Sequence, residues 1–206
     1  MHEFAWYVVF IGRPNAGKSS LIHRLTAAKP VIGKKPGSTR KIIEYPLAKK
    51  FRIVDIPGWG KIHGRPSTYE ERIKDEILVF LEENKFRIPA CVHVIDAKSL
   101  IDVSERLAKK GIIPIDQELY QFLCDLHFIP IVALNKIDKI DKSALACTVA
   151  YFKELIDIST LSPEHDASII TVSARKGDNL PALRDLIRKR LRAASVEEFE
   201  RYIKLS

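Results

Sequence analysis

The segment Gly12-Arg13-Pro14-Asn15-Ala16-Gly17-Lys18-Ser19 stands between an apolar, β-branched run, Trp6–Ile11, and a helical pattern, Lys18–Ala28. A strand, a glycine loop and a helix in that order constrain the chain more than any other feature. The two glycines let successive backbone N–H groups turn inward around phosphate oxygens, at the positive end of the helix dipole. Lys18 is placed to reach β- and γ-phosphates, and the Ser19 hydroxyl to ligate Mg²⁺. Ser20 completes this set.

The rest of the chain alternates short apolar runs with longer helical patterns, which predicts an α/β fold. Further strands are expected at Lys41–Leu47, Phe51–Asp55, Ala90–Asp96, Ile129–Asn135 and Ser168–Val172. Further helices are expected at Thr68–Asn84, Asp116–Leu126, Lys142–Leu155 and Leu180–Ala194. The second and third strands lie too close for a crossover helix and should form a hairpin. The prediction is a P-loop NTPase fold: a mostly parallel six-stranded sheet with one antiparallel strand and helices on both faces. Eight of the nine glycines follow strands or join strands to helices, where ligands of such sheets bind. Gly111 lies instead in the connection 98–115, which carries its own amphipathic stretch and reads as a surface insertion. The domain is expected over 1–194, with 195–206 a short helical tail.

Two further segments narrow the ligand. Asp55-Ile56-Pro57-Gly58 ends an apolar strand; the carboxylate can hold a Mg²⁺ water and the Gly58 N–H can meet a γ-phosphate. Asp96 competes for the metal role, but no glycine stands three positions after it. In Asn135-Lys136-Ile137-Asp138, the Asp138 carboxylate can accept from guanine's ring N–H and exocyclic amine, a donor pair that adenine lacks. Lys136 would lie along the base and Asn135 would tie loops together. Ser173-Ala174-Arg175 follows the last strand, and the Ala174 N–H can serve the guanine carbonyl. GTP or GDP with Mg²⁺ is therefore the expected ligand, with Lys18 and Gly58 nearest the chemistry.

The net charge of +8 suits a polyanionic partner or simply a well-solvated basic surface. The same two readings apply to the terminal helix, where Arg184, Arg188, Lys189, Arg190 and Arg192 alternate with leucines and isoleucine. Cys91, Cys124 and Cys147 are far apart and each has apolar neighbours, which predicts buried thiols in a reducing, cytoplasmic setting. No run approaches the roughly 20 apolar residues that a membrane helix needs.

These segments together resemble the translation-factor-related G domains. Gly33-Lys34-Lys35-Pro36-Gly37-Ser38-Thr39-Arg40 and Asp55-Ile56-Pro57-Gly58-Trp59-Gly60 resemble the EngB (YihA) family of Era-like GTPases, and Gly37–Lys41 is expected among the nucleotide-binding residues. The resemblance implies that Thr39 completes a Mg²⁺ shell with Ser19 and Asp55. It also implies a role in large ribosomal subunit assembly and in cell division or septation, with rRNA as partner. A monomer acting on neither membrane nor DNA is expected.

One departure matters. Ras-like enzymes place a glutamine after Asp-x-x-Gly to orient the attacking water; here Trp59 stands there, and an indole has no acceptor. In similar Era-like GTPases an asparagine at the place of Asn15 helps bind K⁺, so potassium-assisted hydrolysis is one expectation; a loop-capping Asn15 is the other. A GTP-binding scaffold with negligible turnover is the main competing function. A phosphate-loop kinase or ATPase is a third, opposed by Asn135–Asp138.

Overall fold

The computed structural model describes residues 5–26, 41–60 and 67–205. Six strands form one sheet: β1 (Trp6–Ile11), β2 (Ile43–Ala48), β3 (Phe51–Asp55), β4 (Ala90–Asp96), β5 (Ile131–Asn135) and β6 (Ile169–Thr171). Their order is β2-β3-β1-β4-β5-β6. The β2–β3 pair is antiparallel and the other four pairings are parallel. Pro46 is tolerated because β2 is an edge strand, and the register slips between Pro46 and Ala48.

The helices are α1 (Lys18–Leu25), α2 (Ser67–Asn84), α3 (Leu100–Ala108), α4 (Ile115–Asp125), α5 (Lys142–Leu155), the one-turn α6 (Pro163–Asp166) and α7 (Leu180–Ala193). The period of two along β1 sorts its side chains to the two faces. Val8 and Phe10 pack with Leu21 and Leu25 of α1 and Leu183 and Ile187 of α7. Tyr7, Val9 and Ile11 pack with Ile73 and Ile77 of α2 and Leu119 and Leu123 of α4. A third cluster joins Val132 and Leu134 of β5 to Leu100, Tyr120 and Phe152. Truncating Phe10 or Phe152, both essentially unexposed, to alanine should cost about 3–5 kcal/mol.

Three expectations are revised. The connection 98–115 is not merely a surface insertion: α3 buries Leu100 and Ser104 and packs on α4 and α5. The tail is not a helix but one 3-10 turn, Phe199–Arg201, after which Ile203 bridges to Thr26. Positive φ at Ser195 and Glu198 breaks any longer helix. Only Cys91 is a buried thiol, its pKa pushed up to about 12 by burial, whereas Cys124 is half-buried and Cys147 exposed. Their apolar sequence neighbours misled, because a helix turns each residue by about 100° from the last, so neighbours in sequence need not share a face.

From β1 the chain runs to β3 on one side and β4 on the other, so β1 marks the topological switch point. Open α/β sheets bind ligands there, beyond the carboxyl ends of the strands.

Candidate nucleotide site

The phosphate loop leaves β1 at Ile11 and enters α1 at Lys18. Gly17 has φ +103°, and a Cβ there would lie 2.2 Å from Asn135 Nδ2, so both backbone and space demand glycine. The buried Lys18 Nζ donates to the carbonyls of Gly12 and Arg13, each at 3.0 Å. Burial lowers the Lys18 pKa to about 8, against the pull of Asp55 and Asp116. Its ammonium thus holds the loop's own carbonyls at the place where phosphates would be received.

Ser19 Oγ donates to Asp55 Oδ2 at 2.5 Å, and Asp55 Oδ1 is buried without a hydrogen bond. Burial holds the Asp55 carboxyl above its usual pKa, although Ser19 and Lys18 oppose this. Two hard oxygen donors side by side, one carboxylate oxygen still unsatisfied, fit Mg²⁺. That ion takes most of its shell from water and substrate oxygens.

Asp96 is not at this point. It accepts from Lys136 Nζ at 2.6 Å and from the Lys98 N–H at 3.1 Å, which leaves the metal position to Asp55. Lys136, in the left-handed region at φ 69°, also donates to the Asn15 carbonyl at 2.5 Å. Its stem therefore spans from the base-side loop to the phosphate loop.

Asn135 ties three loops. Its Nδ2 donates to the Ala16 carbonyl at 2.9 Å, and its Oδ1 accepts from the Ala174 N–H at 3.0 Å. The Ala174 N–H, expected to serve a guanine carbonyl, is thus engaged by Asn135. Asp138 stands at the rim, where Ser173 Oγ donates to its Oδ1 at 2.7 Å and lowers its pKa. Ser173 is itself fixed by accepting from the Lys176 N–H. Gly17, Ser20, Asn135, Lys136, Asp138 and Ala174 line a cavity of about 440 Å³. Arg175 lines it as well, with His23, Arg24 and Lys139, which sequence reasoning missed. Helical spacing from Ser20 to His23 and Arg24 carried the signal for two of these.

Other expected residues are placed as follows. Ile56 and Pro57 are buried, and the Ile56 N–H donates to the Phe10 carbonyl, so they act through the backbone. A Cβ on Gly58 would come within 2.5 Å of Pro14, so the Asp-x-x-Gly segment lies directly against the phosphate loop. Ile137 is half-buried in a 3-10 turn and its N–H meets the Val172 carbonyl. Asn15 and Lys41 are exposed. Gly37, Ser38, Thr39 and Arg40 lie outside the described residues. Trp59 is buried and stacks on Phe122, ring centroids 5.3 Å apart. Also missed was Asp116, whose buried carboxylate lies 2.8 Å from Nε of the phosphate-loop Arg13, 103 residues away in sequence.

Comparison with known proteins agrees with this geometry. Residues 7–136 match the model of a family described as 50S ribosome-binding GTPase. The chain is 44% identical, over 87% of its length and 83% of the relative's, to a probable GTP-binding protein EngB of Pyrococcus abyssi. A crystal structure of a probable GTP-binding protein engB superposes with TM-score 0.79 at 42% identity, covering 91% of this chain and 99% of that one. Era in complex with MgGDPNP and nucleotides 1506–1542 of 16S ribosomal RNA matches with TM-score 0.62 at 25% identity, over 92% of this chain and 57% of that one. With the phosphate loop, the Asp55 segment and the Asn135–Asp138 pocket on one sheet edge, the chain belongs to the EngB family of GTP-binding GTPases.

Proposed function

We propose that the protein is a slow GTP-hydrolysing switch in large ribosomal subunit assembly, holding GTP·Mg²⁺ on Lys18, Ser19, Thr39 and Asp55. The observation that carries the guanine reading is Asp138, braced by Ser173 at the mouth of the 440 Å³ cavity. Mg²⁺ held by the Ser19 and Asp55 oxygens would supply positive charge to offset that of the phosphates. Gly58, against Pro14, offers its N–H on the γ side.

Slow turnover follows from Trp59: its ring is stacked into the core, so no side chain at that position orients water. Intrinsic hydrolysis should run well below about one per minute. Asn15 is exposed at φ 63° with no side-chain hydrogen bond among the described residues, which suits a K⁺ ligand better than a loop cap. Equal rates in matched KCl and NaCl would sink that role.

The ribosomal part rests on the family's description, on the rRNA complex of Era, and on the net charge of +8. The cations of α7 add little to it. Arg184 pairs with Asp185, Arg188 holds the Ile203 and Glu200 carbonyls, Arg190 meets Glu164, and Arg192 meets Glu200. A role in cell division, and a monomer in the cytoplasm, complete the reading; among the described residues no helix is long and apolar enough to cross a membrane.

Sedimentation with ribosomal subunits tests the proposal. Pelleting with the large subunit in a GTP analogue but not in GDP is expected. Equal pelleting in all nucleotide states, abolished by modest salt, would reduce it to non-specific charge.

A further inference from the structure

Both segments that face the γ side rest on one helix. On the phosphate loop, Arg13 Nε lies 2.8 Å from Asp116 Oδ2 in the first turn of α4. The two side chains are only 11% and 2% exposed. The N–H is not aimed at the oxygen, so the contact is ionic rather than a directed hydrogen bond. Arg13 Nη2 also donates to Ser99 Oγ at 3.3 Å. Beyond the carboxylate, the fully buried His93 ring stands 3.6 Å from Asp116 Oδ1, too long for a hydrogen bond.

On the Asp-x-x-Gly segment, Trp59 stacks on Phe122 of α4, with an interplanar angle of 18°. A Cβ on Gly60 would come within 3.0 Å of Ile115 Cδ1, also on α4. The two segments touch directly as well: the Trp59 N–H donates to the Gly12 carbonyl at 3.1 Å, and Gly58 is seated on Pro14. Helix α2, which follows the segment in sequence, is linked to α4 through Lys74 Nζ and Glu118 at 3.1 Å.

From this geometry we infer that Asp116 is a positioning residue for GTP hydrolysis, acting through Arg13 to fix the Gly12–Asn15 half of the phosphate loop against Gly58 and Trp59. Asp116 does not line the cavity and reaches Lys18 only through its charge; its carboxylate sets where Arg13 and its backbone sit. A hydrophobic residue could fill the same space, but a charge facing Arg13 from a helix shared with Trp59 fixes one register between the two γ-side segments. The base and the β-phosphate side are held by other elements: Asn135, Lys136 and Ser173 brace the first, and Gly17–Ser19 at the start of α1 the second. Loss of the pair should therefore fall on the chemical step more than on GDP binding. The inference rests on the hydrolytic reading of this site.

The test compares wild type, Asp116→Asn and the double variant Arg13→Met/Asp116→Leu for GDP affinity, kcat and thermal melting. Asp116→Asn leaves a buried guanidinium without its counter-charge and can lower the melting temperature by itself. The double variant replaces the pair with apolar side chains of similar size, which restores packing without the clamp. The expected result is a double variant that melts near the wild type and binds GDP within about threefold, with kcat still down about tenfold. A double variant with wild-type kcat would overturn the inference, leaving the pair a packing element. So would parallel losses in GDP affinity and kcat, which mark general collapse of the site. A wild-type chain that binds GDP yet shows no turnover, with K⁺ or without, would instead remove the hydrolytic reading on which the inference stands.

Discussion

The base side and the phosphate side of this site are built on opposite plans. On the base side, polar groups are braced in positions they can keep when a nucleotide enters: Asn135 between two loops, Lys136 between Asp96 and Asn15, Asp138 on Ser173. On the phosphate side, the groups that would serve the ligand serve one another. Lys18 caps the loop's carbonyls, and Ser19 spends its hydroxyl proton on Asp55. The base side is braced from outside the ligand's place, whereas on the phosphate side Lys18, Ser19 and Asp55 are at once the braces and the groups that would meet phosphate and metal. Base-side substitutions should therefore change which nucleotide binds, and phosphate-side conditions should change how tightly it binds.

The sharpest way to break this contrast is Asp138→Asn. An amide that offers a donor where the carboxylate accepted should lose GTP affinity by about a thousandfold. Binding of the xanthine nucleotide, whose second carbonyl replaces the amine, should be gained; titration with both nucleotides checks it. Uniform weakening of both would mean that Asp138 merely shapes the loop.

Next in size is Ser19→Ala. With Mg²⁺ present it should weaken GTP binding by about thirtyfold, whereas in excess chelator the variant and wild type should bind alike. An equal deficit in both conditions would detach Ser19 from the metal.

A smaller effect concerns pH. With nucleotide bound, the phosphates keep Lys18 charged, so its pKa rises above the value of about 8 that it has in the free protein. Below pH 8 both forms are protonated and affinity is flat; above it, binding must take up a proton and weakens. GTP affinity should fall about fourfold between pH 7 and 8.5, measured by calorimetry in buffers of different ionisation heat. The stability of the nucleotide-free protein should move oppositely. A lysine whose folded pKa is depressed sheds its proton before the unfolded chain does, so stability rises as pH climbs past 8. A flat binding profile over that range would mean that Lys18 is not the titrating contact.

The smallest expected effect is that of Asp96→Ala. It frees Lys136 from one of two anchors and should cost about threefold in affinity for GTP and GDP alike, since one partly exposed ion pair is removed. A loss confined to GTP would move Asp96 back toward the metal.

How much of this was legible in the sequence follows from how local each signal is. The phosphate loop, Asp55–Gly58 and Asn135–Asp138 are contiguous segments whose chemistry and flanking strands sit in the same few residues, and the antiparallel β2–β3 pair followed from the short spacing of its strands. Helix α3 was legible only as an amphipathic stretch, because its packing on α4 and α5 is tertiary. Arg13 with Asp116 and His93 was not legible at all. An arginine, an aspartate and a histidine scattered over the chain look like surface charges until the sheet brings them together. The engagement of the Ala174 N–H by Asn135 was hidden for the same reason, since the two are 39 residues apart.

The stacked Trp59 gives the molecule an optical handle. The chain has two tryptophans, Trp6 at the start of β1 and Trp59 directly after Gly58. Trp6 lies at the amino end of its strand, on the opposite pole from the phosphate loop. Its emission supplies a nearly constant background. Trp59 is sealed against Phe122 beneath Lys74, whose Nζ lies 4.9 Å from the ring centroid, a charge close enough to shift an indole's emission. Filling the γ position should therefore shift the emission of a single residue in unlabelled protein, and a Trp6→Phe variant whose spectrum is the same with GDP and a GTP analogue would show that Trp59 does not respond.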